Sequence, residues 1–486
     1  MSDFQEKNTN HLHELKTKRS MLQFVFPFAL SQKPKNDITE SLKKEGFTFF
    51  KLKDLDLQEE FYGGVKVFHR ELEKFFLPNV EPILFPAEDT EREGFRRFSK
   101  KLNLQGTFKS PQLDTDFTIN SLDIFLCPFH IGMMNIRIAL PENLKYSDVL
   151  HFGNTFRVME PIVEDEQHTS VGLKDKKMHN QVKDLIYSEL APMLKDYIDQ
   201  MKADSSYFGS LPFFIDERMY VIGHIALEED SQITKGDLFR AGQLSGYDEA
   251  GKPFVGANSD EYINRYFKKR VYDRWGDETY YVFSEYSFTS ITRADDKKEA
   301  QIARQMYGQN YYGLLLFFYY KIVLLKLTHE HAAVDIEKDQ SDTELLIVMI
   351  TEFSAKFLFA EVNSTYSGKE MFHMVKDVFN IDTLYNDVKK TLASLYQNQE
   401  KISSKRSSYL LQILTIYTVI SGIFGMNLVI EDWKGKTRWG KVPDYSMFEY
   451  ISFFTALSGI VISLILGFFA LKNWMKEQKS RKKQLF

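Results

Sequence analysis

The sequence contains a single cysteine, Cys127, among 486 residues. That count excludes an intramolecular disulfide framework and a metal site built from cysteines, and it is typical of a protein in a reducing compartment. Prolines are also few, 13 in all, and none lies between Pro253 and Pro443. Because proline interrupts helices, this gap permits long unbroken helices in the second half of the chain.

Signatures of catalysis are missing as well. The sequence has no Walker-type phosphate loop, no G-x-S-x-G nucleophile elbow and no arrangement of cysteine with histidine that is typical of catalysis. His329 and His331 make a poor zinc pair, because positions two apart on a helix point to different sides. The sequence therefore predicts a protein that is not an enzyme.

The net charge of −5 is unevenly distributed. From Glu431 onward there are ten Lys and Arg against five Asp and Glu, which leaves −10 on the rest of the chain. A mildly acidic body with a basic tail is the reverse of the usual pattern in nucleic-acid-binding proteins, so no nucleic-acid polymer is predicted as a partner. Aromatic residues make up 15% of the sequence, which is ample material for a large core.

Two long stretches carry no charge: 24 residues between Arg406 and Glu431, and 22 residues between Glu449 and Lys472. About 20 apolar residues suffice for a helix to cross a bilayer. We therefore predict transmembrane helices at 407–430 and 450–471. The alternative is a pair of buried core helices.

Basic residues flank this pair of predicted spans. Lys401, Lys405 and Arg406 precede the first span, and a basic tail over 472–486 follows the second. By the positive-inside rule, both termini are cytoplasmic and the loop 431–449 lies outside. The predicted location is the inner (plasma) membrane, crossed more than once, with the lipid bilayer as a partner.

The predicted fold class is α+β: a large mixed α/β cytoplasmic domain over 1–300, long stalk helices over 301–406, and the two C-terminal transmembrane helices. Aromatic and β-branched residues predict strands in the first part, and helical spacing of apolar residues predicts helices. Strands are predicted at 47–55, 123–140, 218–227 and 279–288, and helices at 180–203 and 260–275, the second capped by Ser259.

From about residue 298 the pattern is helical throughout. The apolar run Tyr311–Leu325 contains Lys321 and is short for a span, so we predict a buried helix there. A near-heptad seam follows, which predicts one long helix that continues into the first span and needs partners in an oligomer. The seam residues are Ile381, Leu384, Val388, Leu392, Leu395 and Ile402.

At the outer end of the first span the sequence reads Gly425-Met426-Asn427. With two C-terminal spans and a long helix before them, this motif resembles the CorA-type magnesium transporter family over roughly residue 370 to the end. The resemblance implies a homopentamer in which five first spans line a pore. It also implies that Gly425, Met426 and Asn427 form the selectivity filter, with Mg²⁺ as the transported or regulatory ion.

The chemistry of Mg²⁺ explains an amide in that position. Mg²⁺ gives up its water reluctantly, and neutral amide oxygens can accept hydrogen bonds from a hydrated ion without holding it too tightly. A ring of Asn427 side chains would supply those oxygens. The alternative is a simple helix C-cap, a common role of asparagine.

A stripe of polar and small residues runs along one face of the first span. Such a stripe favours a water-filled pore, although small and hydroxyl residues are also common where two helices pack together. The stripe consists of Ser408, Gln412, Thr415, Thr418 and Gly422, and we predict the last four as pore-lining.

Some features depart from the family. The outer loop is longer than usual and carries four bases beside its acids, which would repel cations at the mouth. The tyrosine often found before the motif is replaced by Phe424, and the first span has no proline. The ion selectivity therefore stays open.

The cytoplasmic part is large for the family and resembles CorA-like members associated with type III CRISPR defence, which are thought to bind a nucleotide messenger. The segment after Ser259 has suitable chemistry. Its lysine and arginine side chains can neutralise phosphate, and its aromatic rings can stack on a nucleobase. The predicted ligand-binding residues are Lys268, Lys269, Arg270, Arg274 and Trp275, with Tyr272 as a second ring and Gly94–Lys101 as another basic cluster. The alternative for both clusters is a solvated helix face or an ion pair between subunits.

Regulatory Mg²⁺ in this family binds carboxylates of the cytoplasmic domains. Asp295 and Asp296 are candidates, as is the acidic run over 335–344, although acidic clusters mostly form solvated surface. The sequence thus supports a divalent-cation channel gated by its cytoplasmic domain. The alternatives are a nucleotide-gated membrane effector on the same scaffold and a membrane-anchored scaffold without transport.

Overall fold

The computed structural model describes residues 12–31, 37–161, 169–198, 218–333 and 340–427, and a set of positions between 446 and 472. Contacts divide the chain into two units, Met1–Leu392 and Ala393–Phe486. The first unit combines one large sheet with helices, so the predicted mixture of strands and helices is confirmed.

The described strands form a ten-stranded sheet in the order β2-β3-β4-β5-β1-β7-β10-β9-β8, with β6 paired to β3. Neighbours are antiparallel except β7 and β10, which are parallel. The strands are β1 Thr17–Ala29, β2 Thr48–Phe49, β3 Arg96–Lys109, β4 Asp114–Cys127, β5 Ile131–Leu140, β6 Ser170–Leu173, β7 Tyr220–Leu227, β8 Val271–Tyr272, β9 Thr279–Phe283 and β10 Ser287–Thr292.

Twelve α-helices lie within the described residues up to Asn427, and the last five follow the sheet in the sequence. They are α1 Ile38–Lys44, α2 His69–Phe75, α3 Glu81–Leu84, α4 Tyr146–Phe156, α5 Val182–Leu185, α6 Lys235–Gln243, α7 Asp260–Arg270, α8 Asp296–Tyr307, α9 Gln309–Ala333, α10 Gln340–Glu352, α11 Tyr366–Val378 and α12 Ile381–Asn427.

The central strand β1 was not among the predicted elements. It pairs with β5 over Ser20–Ala29 and with β7 only as far as Val25. Pro27 is tolerated because it lies beyond the residues that pair with β7. Its missing backbone N–H therefore removes no hydrogen bond between β1 and β7. The alternation of Leu22, Phe24, Phe26 and Phe28 on one face was the available sequence signal.

The other strand predictions are confirmed in most cases. The segment 123–140 is a hairpin of β4 and β5, whose turn places Phe129 and His130 at positive φ. The segment 279–288 contains β9 and the start of β10, and 218–227 contains β7. Only Thr48–Phe49 of the predicted strand 47–55 is extended in the sheet, because the chain turns into a short 3₁₀ helix at Leu55.

One predicted helix is interrupted and another was too long. Within the predicted helix 180–203, α5 is followed by a π-helical turn over Ile186–Leu190 and a 3₁₀ helix over Pro192–Asp196. The two are separated by a break at Ala191, since Pro192 cannot continue the hydrogen-bond ladder. Residues 199–203 lie outside the described part. The predicted helix 260–275 ends at Arg270 and continues as β8, while Ser259 caps its N-terminus as predicted by accepting a bond from Tyr262 N–H.

The two faces of the sheet differ in chemistry. One face is apolar and packs against α4 and α6 through residues such as Phe24, Ile136 and Phe152. The other face carries polar side chains on β3, β4, β5 and β1, and they contact tyrosines of α8 and α9. The helices α8 and α9 therefore cover a polar layer inside the first unit.

Helix α9 contains the apolar run Tyr311–Leu325, which is buried as predicted. Among the described residues, the segment Asp296–Ala332, which contains α8 and nearly all of α9, is the one helical stretch long and apolar enough to cross a membrane, and 78% of its most apolar part is buried inside the protein. Burial identifies it as a core helix. The predicted spans 407–430 and 450–471 lie only partly within the described residues.

Helix α12 has 47 residues and no break. It covers the predicted seam, of which Ile381, Val388 and Leu395 are buried within the chain itself. Leu384 and Leu392 are half-buried. The seam alone therefore does not require a second subunit, and the prediction of an oligomer depends on the later part of the helix.

Candidate functional site

The later part of α12, in the second unit, exposes large apolar side chains. At 3.6 residues per turn these positions are distributed around the whole circumference of the helix. Tyr409, Leu411 and Leu414 are each 63% exposed. The full set is Tyr409, Leu410, Leu411, Ile413, Leu414, Ile416 and Val419. A helix that is apolar on every side is typical of a buried or membrane-spanning position.

The predicted pore-lining residues lie on this same stretch. Gln412, Thr415, Thr418 and Gly422 are exposed. The Thr415 hydroxyl donates to the Leu411 carbonyl at 2.7 Å, and the Thr418 hydroxyl donates to the Leu414 carbonyl at 2.8 Å. These bonds satisfy both hydroxyl protons within the helix, so each oxygen presents only acceptor capacity to its surroundings.

A second helical stretch contacts α12 within the same unit. The Tyr417 hydroxyl donates to Ser458 Oγ at 3.0 Å, and Ile416 and Tyr417 line an apolar groove with Tyr450 and Phe454. Tyr417 lies about 160° around the helix from Thr415. The polar stripe is thus turned away from the second helical stretch.

The predicted filter lies at the limit of the described residues. The backbone is helical through Gly425, Met426 and Asn427, so the helix does not turn at Gly425. The side chains of these three residues and the outer loop 431–445 lie outside the described part of the protein. The filter stays a prediction.

The predicted ligand-binding bases occupy the end of α7 and the turn after it. Lys268 and Lys269 are exposed in the last turn of α7, where cations stabilise the helix dipole, and Arg270 is half-buried. Arg274 Nη1 lies 2.9 Å from Glu370 Oε2 on α11, and the Tyr272 hydroxyl donates to the same oxygen at 2.8 Å. This ion pair lies within one chain, so it differs from the pair between subunits that was considered as the alternative, although it also gives Arg274 a structural partner.

The exposure of the aromatic rings around Arg274 differs from the prediction. Tyr272 is buried, so its face is not available for stacking on a base. Trp275 is 53% exposed, and Tyr366 of α11, which the sequence did not suggest, is 70% exposed. The Arg274 guanidinium carbon lies 5.7 Å from the Trp275 ring centre and 5.2 Å from that of Tyr366. The fold therefore joins two exposed rings and a cation on one surface.

The candidate metal ligands have other roles. Asp295 caps α8 by accepting a bond from Lys298 N–H at 3.0 Å, and Asp296 pairs with Lys18. No group of three or more potential metal ligands occurs among the residues described. In the acidic run 335–344, residues 335–339 lie outside the description, whereas Asp342 and Glu344 are exposed on α10.

The basic cluster Gly94–Lys101 is not a basic surface. Arg97 points into the protein from β3 and is fully buried, while Lys101 pairs with Glu60 on the outside. Arg96 is half-buried, and burial lowers the pKa of its guanidinium. Strand alternation places the adjacent Arg96 and Arg97 on opposite faces of the sheet.

Arg97 belongs to a buried ionic network that the sequence analysis missed. Asp123 of β4 lies 3.2 Å from Arg97 Nη2 and 2.6 Å from Nη1 of Arg137 on β5. Ser99 and Ser121 add hydrogen bonds, and Arg97 also donates to the hydroxyls of Tyr62 and Tyr312. All three charged side chains are less than 3% exposed.

The two guanidiniums determine the ionisation of Asp123. Burial by itself would raise the pKa of this carboxyl group, but Arg137 and Arg97 hold it below its usual value. The carboxylate therefore stays ionised at neutral pH. In the sequence, single charges inside otherwise apolar strands, such as Asp123 within "SLDIFLC" and Arg137 within "MNIRIAL", were the available signal.

Comparison of the chain with protein families, curated proteins and solved structures finds no match. Function is therefore inferred from the residues of the chain itself.

Proposed function

We propose that the protein is an oligomeric, CorA-like membrane channel for divalent cations, with Mg²⁺ as the best-fitting ion and the cytoplasmic domain as the gate. The observation that supports this most is the apolar surface around α12 from Tyr409 to Val419. The first unit, by contrast, buries most of its apolar residues. A different environment around the second unit accounts for this contrast.

The size of this surface indicates what must cover it. Removing a large apolar side chain from water is worth about 1.5–3 kcal/mol, so covering seven half-exposed side chains contributes roughly 5–10 kcal/mol. Because the exposed positions surround the helix, a single partner on one side would leave the rest in water. Lipid on some sides and copies of the same helix on others would cover most of them. Leu411 and Val419, each about 40° around the helix from Thr415, would lie on the side of the polar stripe.

The polar stripe then defines the pore side. In the proposed assembly, five copies of α12 surround an axis with Gln412, Thr415 and Thr418 toward it, while the second span lies outside. The Thr415 and Thr418 hydroxyl protons are already hydrogen-bonded to helix carbonyls. Their oxygen atoms can therefore accept hydrogen bonds from the water shell of a cation. The predicted filter at Gly425, Met426 and Asn427 would follow at the outer end.

Cysteine labelling in intact cells tests the proposed topology. The native Cys127 is buried and burial raises the pKa of its thiol, so it should give little background. Lys441→Cys in the outer loop should react with a membrane-impermeant maleimide at once. Lys479→Cys in the tail should react only after the membrane is opened. The reverse pattern, or equal labelling of both, would rule out this arrangement.

A second candidate function is a membrane effector gated by a nucleotide messenger. The specific observation in its favour is the pair of exposed rings, Trp275 and Tyr366, on either side of Arg274, with Lys268 and Lys269 close along the chain. Aromatic rings stack on nucleobases, and lysine and arginine side chains can neutralise phosphate.

Binding of adenine nucleotides to the full chain tests this second candidate. Trp275→Ala should weaken binding by about 5- to 150-fold, because stacking of one base is worth about 1–3 kcal/mol. Phe254→Ala is the matched control, since Phe254 is also an exposed ring in the first unit. Equal effects of both variants, or no nucleotide binding to the unmodified chain, would exclude the patch as the site.

A further inference from the structure

The buried network around Asp123 carries more positive than negative charge. Arg97 and Arg137 contribute two positive charges, and Asp123 is the only acidic side chain in ion-pair contact with either of them among the described residues. All three are at most 2% exposed, so water does not screen the excess. Within the described part of the first unit, one positive charge is therefore left without a negatively charged partner.

Such an excess is costly. Moving a charge from water into a protein interior costs several kcal/mol even after relaxation. Aromatic rings offset part of this cost, since the Arg137 guanidinium carbon lies 5.1 Å, 5.8 Å and 5.2 Å from the ring centres of Tyr62, Tyr307 and Tyr311. Rings provide no negative charge, however, so the imbalance persists.

Two hydrogen-bond donors beside the excess charge have no acceptor. Arg137 Nη2 and the hydroxyl of Tyr307 are both buried and make no hydrogen bond with the part of the protein that the structure describes. Burial raises the pKa of Tyr307 to about 12, so its hydroxyl stays protonated and can donate. Buried donors are almost always paired, and these two belong to side chains in contact, with Arg137 Cζ 5.8 Å from the Tyr307 ring centre.

We propose that a small monovalent anion of the size of chloride binds here, held by Arg137 Nη2 and the Tyr307 hydroxyl. A water molecule would satisfy the two donors but would leave the charge unbalanced, whereas an anion satisfies both requirements. This site is independent of the proposed transport function, because it lies wholly within the first unit.

The position of Tyr307 gives the anion a structural role. Tyr307 is the last residue of α8, immediately before Gly308 and the start of α9. Arg137 lies on β5, whose Asn135 donates to the Tyr311 hydroxyl on α9 at 2.9 Å. An anion between Tyr307 and Arg137 therefore adds a link between the sheet and the junction of α8 and α9.

Thermal unfolding of the full chain in detergent tests the site. At constant ionic strength, replacing gluconate by chloride from 1 to 100 mM should raise the Tm of the first unit by about 2–4 °C, and bromide should do the same. Tyr307→Phe removes one donor without adding volume and should abolish most of this shift.

Tyr319→Phe is the matched control, because Tyr319 is also buried beside the sheet and its hydroxyl also makes no hydrogen bond. It should keep the full response to chloride. An unmodified chain with equal Tm in chloride and gluconate would overturn the proposal, as would a Tyr307→Phe variant with an unchanged response. A tyrosinate absorbance band at neutral pH would also overturn it, because an ionised tyrosine would then balance the charge.

Discussion

Replacing Asn427 by alanine is expected to abolish selective Mg²⁺ entry into liposomes that carry the full chain. In the proposed channel, Asn427 supplies the neutral oxygens that accept hydrogen bonds from the hydrated ion. Hydrogen bonds to charged groups are worth about 1.5–3 kcal/mol, so losing even one of five equivalent contacts should lower the entry rate at least tenfold. A Mg²⁺-sensitive dye trapped in the liposomes measures this rate.

Asn386→Ala provides the control, because Asn386 is an exposed asparagine on the same helix but in the first unit. It should leave the entry rate unchanged. If Asn427→Ala also leaves Mg²⁺ entry intact, Asn427 acts only as a helix cap and the filter assignment is wrong. If the unmodified chain passes no ion under any condition, the membrane-anchored scaffold becomes the better function.

Replacing Asp123 by asparagine is expected to cost about 3–5 kcal/mol of unfolding free energy. Removing one partner of a buried ion pair leaves the other charge uncompensated, and here two guanidiniums lose the same carboxylate. The loss should appear as a much lower midpoint in thermal or denaturant unfolding of the full chain. Poor expression of an otherwise soluble variant would have the same cause.

Asp116→Asn is the matched control for this change. Asp116 lies on the same strand, but it is exposed and only accepts a bond from the Thr107 hydroxyl. Its substitution should change the unfolding free energy by no more than about 0.5 kcal/mol. Equal effects of the two variants would show that the network adds nothing to stability.

The sign of the pH dependence follows from the lowered pKa of Asp123. The carboxylate contributes its full stability above its unfolded-state pKa of about 3.9. That contribution is lost as the pH falls through the lower pKa of the folded state. Acid unfolding should therefore become less steep in Asp123→Asn than in the unmodified chain.

The sequence was most informative where one pattern extended over many residues. The absence of proline and the spacing of apolar residues predicted the long helix α12 and the buried helix α9, because both properties are local. The hairpin at 123–140 was predicted for the same reason. The broken helix after Val182 shows that one proline, Pro192, outweighs helical spacing on either side of it.

The candidate sites were harder to predict, because their partners are distant in the sequence. Glu370 and Tyr366 reach Arg274 across almost a hundred residues, and nothing in the local pattern indicates that contact. Asp123 meets Arg97 and Arg137 only because the register of β3, β4 and β5 aligns them. Strand register depends on the packing of the whole sheet, which one sequence does not reveal.

The length of α12 within the second unit has a consequence for the proposed membrane arrangement. From Ala393 to Asn427 the helix extends for about 52 Å at 1.5 Å per residue. The hydrocarbon core of a bilayer is only about 30 Å thick. In that arrangement, about 20 Å of the helix would therefore stand in water beside the membrane.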